Sequence, residues 1–122
     1  MNQLAEHYRE EIQAILKRYP PEQKQSAVMP LLFLAQQEQN FISEQSIMDI
    51  SEILQMSPTD VASIAGFYTL FHQELGGQYR IQVCTDLPCA LRGADVFLKD
   101  LSDYLSIEVG GTTDDGLKLV PL

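Results

Sequence analysis

The sequence predicts an α+β protein, with a helical region over 1–75 followed by a smaller unit of strand, helix and further strands over 76–122. Three observations carry that prediction. Apolar residues recur at three- and four-residue steps through the first part. Gly76-Gly77 then punctuates the chain, and the alternating, β-branched run YRIQV at 79–83 follows directly.

Leu4, Tyr8, Ile12, Ile15, Leu16 and Tyr19 fall on one face of an amphipathic helix that Pro20-Pro21 stops, with Glu6, Glu10 and Lys17 on the solvated side. A second helix is expected to begin at Ser26, whose hydroxyl can cap free amides, and to run through VMPLLFLAQQEQ with Val28, Leu31, Leu32 and Ala35 inward. Pro30 lies in its first turn, where a missing N–H costs little. Ser43 and Glu44 open a third helix carrying Ile47, Ile50, Ile53 and Leu54. SPTD at 57–60 supplies an N-cap, a proline at the first helical position and an acid near the positive helix end, so a short fourth helix follows and ends near Gly66.

After the strand at 79–83, Ala90, Ala94, Phe97, Leu98, Leu101 and Leu105 form one helical stripe. The loop from Cys84 to Cys89 therefore joins the carboxyl end of a strand to the amino end of a helix. Beyond it, LSIEVGGTTDDGLKLVPL reads as a short strand, a glycine turn, an Asp115-Gly116 turn and a final strand.

Composition excludes several functions. With 122 residues, 45% of them hydrophobic, the chain suits one domain or two small subdomains with a buried core. No stretch of about 18 apolar residues could span a bilayer, and MNQLAEHYREE has neither the basic start nor the apolar run of a signal peptide. A soluble, cytosolic protein is expected. The net charge of -9 repels phosphate backbones and anionic lipid, which argues against nucleic acid or membrane and for protein partners. MDISEILQMSPTDVASIAGFYT superficially matches a helix-turn-helix reader. Its second helix lacks Arg and Lys, and residues 1–75 hold four basic against ten acidic residues, so ordinary helix packing is the better reading.

Chemistry concentrates in VCTDLPCALRGA at 83–94, which holds the only two cysteines, Cys84 and Cys89. Cys89 just before a helix, with Arg92 one turn on, would have its thiol pKa lowered by helix amides and positive charge. A thioredoxin-type dithiol uses C-x-x-C; the C-x4-C spacing here loosens that geometry and leaves room for a bulkier object such as an iron-sulfur cluster. Spacing leaves three uses open: half of an iron-sulfur site, a dithiol or zinc pair, and two packed thiols. His7 and His72 lie in or beside predicted helices and read as surface or packing residues. No G-x-G-x-x-G or P-loop is present, so nucleotide binding is expected on a partner.

The stretches SAVMPLLFLAQQEQNFIS, VASIAGFYTLF, RIQVCTDLPCALRGA and GGTTDDGLKLVPL, in that order over nearly the whole chain, resemble the E-subunit family of NADH-quinone oxidoreductase, thioredoxin-like 2Fe-2S proteins of respiratory complex I. The fold class then expected is α+β, an N-terminal helical bundle followed by an incomplete thioredoxin-like α/β unit. The resemblance implies that Cys84 and Cys89 are two cofactor-binding metal ligands of a 2Fe-2S cluster. It also implies that the cluster accepts single electrons near the FMN of an NADH-oxidising partner subunit, beside an adjacent iron-sulfur subunit, on the cytoplasmic side of the membrane. The chain is then an oxidoreductase subunit without catalytic acid or base of its own. Related small subunits of NAD-linked formate dehydrogenases and hydrogenases, or thiol-disulfide exchange, are the alternative.

The family places a second cysteine pair, C-x3-C, where the third cysteine would fall just beyond Leu122. Two thiolates cannot fill the four positions of a 2Fe-2S cluster. The 122-residue chain is therefore expected to hold no stable cluster of its own and to carry an association-prone sheet edge.

Overall fold

Asn2 starts the first helix of the computed structural model, which describes residues 2–122, by accepting a hydrogen bond from the Ala5 N–H at 2.9 Å. The expected single helix from Leu4 to Tyr19 is two: α1 (Gln3–His7) and α2 (Arg9–Leu16), broken at Tyr8, where φ is -127° and ψ 40°. The start of α1 is tied to a neighbouring helix. Asp49, buried in a neighbouring helix, accepts the Leu4 N–H on Oδ2 at 3.2 Å and the Gln45 side-chain amide on Oδ1 at 2.8 Å, while its carbonyl accepts from Asn2 Nδ2 at 2.9 Å. Helical periodicity contains no record of such a tie. Asp49→Ala leaves the Leu4 amide without its acceptor, and a loss of about 1–3 kcal/mol is expected as a lower urea midpoint; a midpoint unchanged from the parent would show that the tie is not stabilising.

A 3-10 segment, Pro21–Ala27, then leads into α3 (Val28–Gln39). Ser26 does not cap α3, which begins two residues later without a side-chain cap; the 3-10 turn supplies a carbonyl instead, Gln25 accepting from the Val28 N–H. Pro30 lies in the first turn as expected. Helix α4 (Glu44–Leu54) is capped by Ser43, which accepts the Ser46 N–H, and α5 (Pro58–Phe67) by Ser57, which accepts the Thr59 N–H. Leu31, Leu32, Ile50, Leu54 and Val61 are fully enclosed where these helices meet, and Leu4, Ile12, Ile42 and Phe71 close the core.

The chain divides into two compact units, Met1–Leu75 and Gly76–Leu122. In the second, β1 (Tyr79–Val83) pairs in parallel with β2 (Leu117–Pro121), with Tyr79 opposite Leu117 and Val83 opposite Pro121. Parallel neighbours require a crossover, supplied here by two helices, α6 (Leu87–Leu91) and α7 (Ala94–Leu105), separated at Gly93 with φ 96°. Val83, Leu98 and Leu119 form a small buried core, flanked by Ile81, Leu101 and Ile107.

The strand expected within LSIEV does not form. Leu105 ends α7, Ser106 takes the left-handed cap with φ 55°, and Ser102 bonds the Ile107 carbonyl, which turns the chain. The apparent alternation serves only to seat Ile107 on the small core. The segment reaches β2 through an isolated antiparallel bridge, Thr112 to Lys118, and through Gly110 N–H donating to the Leu119 carbonyl at 2.7 Å. The architecture is α+β: a helical bundle and a small parallel sheet with its crossover helices.

Candidate functional site

Strand β1 delivers Cys84 to the end of the sheet, one residue beyond buried Val83. The next turn is fixed from both sides. Leu122 N–H donates to the Val83 carbonyl at 2.8 Å, and the Asp86 side chain accepts the Leu87 N–H at 2.9 Å, which starts α6 with Pro88 in its first turn. Cys89 is thus the third residue of α6. This corrects the expectation that it precedes the helix. The apolar stripe is divided too: its first residue lies in the short α6, and the long helix begins only at Ala94, past Gly93.

Both thiols are free and half-buried. They open onto a cleft of about 780 Å³ that Ile81, Val83, Arg92, Phe97 and Leu101 also line. Phe97, on the expected apolar stripe, is 57% exposed at this cleft, while Leu98 beside it is buried. A stripe read at helical spacing cannot separate two adjacent residues when the sheet below is only two strands wide.

Interaction with the Cys84 side chain is the main cause that raises the Cys89 thiol above its ordinary pKa; partial desolvation and the charges of Cys84 and Asp86 push the same way. This direction is opposite to the lowering expected from helix amides and Arg92, with the Cys84 side chain its largest cause. A raised pKa means less thiolate at any given pH. Cys89 should therefore alkylate slowly near pH 7 and faster as pH rises. Cys84→Ser, which removes the partner thiol, should speed Cys89 alkylation at pH 8; an unchanged rate would show that Cys84 is not the cause.

The structure brings Cys84 and Cys89 together in the second unit, and the histidines belong to the first. His7 bonds Glu38 through Nδ1 at 2.6 Å in the first unit, and the His72 backbone N–H donates to Gln36 at 2.8 Å. Among the described residues, no group of three or more His, Cys, Asp or Glu could hold a metal ion. A 2Fe-2S cluster takes four protein ligands. Two adjacent thiols opening on one cleft suit two of those positions, and the remaining two find no donors here, so the residues fit half of a cluster site and not the whole.

A family model, the thioredoxin-like 2Fe-2S ferredoxin, matches residues 12–120. The chain belongs to this family. Its relatives include NADH-quinone oxidoreductase subunit 2 of Thermus thermophilus, 39% identical over 100 residues, which covers 82% of this chain and 55% of that protein. The E 2 subunit of the NADH-quinone oxidoreductase of Rhizobium meliloti is 39% identical over 108 residues, 88% of this chain and 63% of the relative. For the E subunit of the Rickettsia prowazekii enzyme the identity is 40% over 104 residues, 84% of this chain and 59% of the relative. The chain thus spans less than two thirds of the length of the curated relatives it matches. Membership in this ferredoxin family fits the parallel strand pair and its helical crossover, and the matched span includes both cysteines. No helix among the described residues is long and apolar enough to cross a membrane.

Proposed function

We propose that this chain is the ligand-bearing part of an electron-transfer subunit of an NADH-quinone oxidoreductase, with Cys84 and Cys89 as two of the four thiolate ligands of a 2Fe-2S cluster. The observation that carries this reading is the pair of adjacent thiols at the end of β1, inside the span matched by the family model. When bound, the cluster supplies one-electron exchange with the FMN of an NADH-oxidising partner subunit, next to a further iron-sulfur subunit on the cytoplasmic side of the membrane. The chain's own residues do the positioning. Asp86 and Pro88 start the helical turn that presents Cys89, the Val83 to Leu122 bond holds the strand end that presents Cys84, and Ile81, Phe97 and Leu101 give the cleft an apolar wall. An apolar wall keeps water from the sulfurs, one of the means by which a protein sets a cluster's potential.

Proton transfer and nucleophilic attack have no place in this scheme. As a single copy, the 122 residues offer two thiolates where four are needed, so a monomer holds no complete cluster. Anaerobic reconstitution with iron and sulfide tests the proposal through the metal content and spectrum of the monomer.

A further inference from the structure

We propose that the aromatic face formed by α3 and the turn after α5 is a docking surface for a partner protein segment that presents arginine between aliphatic side chains. The face lies wholly in the Met1–Leu75 unit and needs neither cysteine nor cluster, so it stands apart from the electron-transfer reading. Four rings follow one another across it. Phe33 of α3 meets Phe71 with centroids 4.7 Å apart, Phe71 meets Tyr68 at 6.4 Å, and Tyr68 meets Phe67, the last residue of α5, at 5.0 Å. Of these, Phe71 is buried. Phe33 and Tyr68 are each 43% exposed, Phe67 77% and Leu70 56%, so a contiguous apolar face meets water although Leu31, Leu32 and Val61 already fill the bundle beneath it. Large apolar side chains gathered in this way mark interaction sites, whereas the same residues scattered singly do not.

The face is held in place before any partner arrives. Gln36 of α3 donates through Nε2 to the Leu70 carbonyl and accepts the His72 N–H on Oε1, each at 2.8 Å, and the Ile42 N–H donates to the His72 carbonyl at 2.6 Å. Rings carried on a backbone fixed by such ties lose little freedom on binding, which suits them as anchors. Charge selects the occupant. Residues 25–79 include six acidic side chains and no Lys or Arg, and exposed Asp60 lies about two turns before Phe67 on the same side of α5. The field over the face is therefore negative, and the ring faces add the negative part of their quadrupole. A second copy set face to face would meet the same acidic field, and an acidic segment would be repelled by it. A guanidinium fits both features: it is planar, weakly hydrated and able to stack on exposed rings, while its aliphatic neighbours cover Leu70.

Nuclear magnetic resonance titration of the full chain with capped, soluble peptides of equal length tests this, their centres being Leu-Arg-Arg-Leu, Leu-Lys-Lys-Leu and Leu-Glu-Glu-Leu. The arginine peptide should shift the amides of residues 67–72 and the ring signals of Phe33, and bind about threefold more tightly than the lysine peptide; the glutamate peptide should leave the spectrum unchanged. Phe67→Ser should weaken the arginine peptide about tenfold and keep the parent's urea midpoint, since the ring is mostly exposed. Tyr104→Ser, which removes an 84% exposed ring from the second unit, should bind as the parent does. Arginine and glutamate peptides that bind alike, shifts that fall outside this face, an arginine peptide no tighter than the lysine one, or a Phe67→Ser chain that binds as the parent does would each overturn the proposal. A sedimentation mass that doubles without peptide and returns to 13.7 kDa in Phe67→Ser would overturn it too, by assigning the face to a second copy. None of these readouts involves iron or the thiols, so the electron-transfer reading stands or falls on its own test.

Discussion

Leu119→Ala is expected to unfold the second unit at temperatures where the parent is folded. Leu119 is fully enclosed, the largest such side chain in that unit, and it shares a buried core with only Val83 and Leu98. Truncating an enclosed leucine costs about 2–5 kcal/mol through lost transfer energy and the cavity left behind. A unit this small buries too little surface to hold more than a few kcal/mol, so the loss takes most of what it has. The cysteine corner depends on the same packing, because Val83 precedes Cys84 and Leu119 lies opposite Ile81 in the β1–β2 register. Amide hydrogen exchange over Tyr79–Val83 measures the effect: protection should collapse in the variant, and protection retained at the parent level would show that this core does not hold the strand pair.

Gly77→Ala attacks the same strand pair through the backbone. Gly77 has φ 77°, and a Cβ there would lie 2.5 Å from the Gly116 carbonyl oxygen. That oxygen accepts the Tyr79 N–H at 2.9 Å, the bond with which the β1–β2 pairing begins. Left-handed backbone costs an alanine roughly 1–2 kcal/mol before any displacement of the carbonyl. The variant should show a lower urea midpoint and faster exchange of the Tyr79 amide than the parent, whereas Gln78→Ala, on an exposed side chain next door, should show neither. Equal midpoints for the two variants would contradict the close approach of Gly77 to Gly116.

What the sequence made legible was local. YRIQV marked β1 to the residue, and Ser43 and Ser57-Pro58 marked two helix starts, because an alternating strand and a side-chain cap are decided within a few residues. Features set by distant partners were not legible. Tyr8 breaks a helix whose periodicity is unbroken, and the start of that helix is held by Asp49, far along the chain, through Leu4 and Asn2. Helices α3, α4 and α7 end in left-handed Asn40, Gln55 and Ser106, where no glycine signals the stop. LSIEV has the alternation of a strand but no neighbouring strand to pair with along its length.

The candidate site divides in the same way. Two cysteines at a strand end were visible as a pair from spacing. The effect of the Cys84 side chain on Cys89 was not, and it is the largest cause of a pKa shift opposite to the expected one. Nor could spacing foretell that Phe97 lines the thiol cleft while Leu98 fills the core, since both lie on the apolar stripe. The resemblance to the E-subunit family, carried by four stretches in fixed order, agrees with the family match over residues 12–120.

The most direct test of the half-site is anaerobic reconstitution of the chain with ferrous iron and sulfide, separated by size and read by metal and acid-labile sulfide content, visible absorption and electron paramagnetic resonance. The half-site account predicts that the monomer fraction, at 13.7 kDa, carries no stoichiometric reducible 2Fe-2S signal. A monomer that holds two irons and two sulfides per chain and gives that signal on one-electron reduction would contradict it.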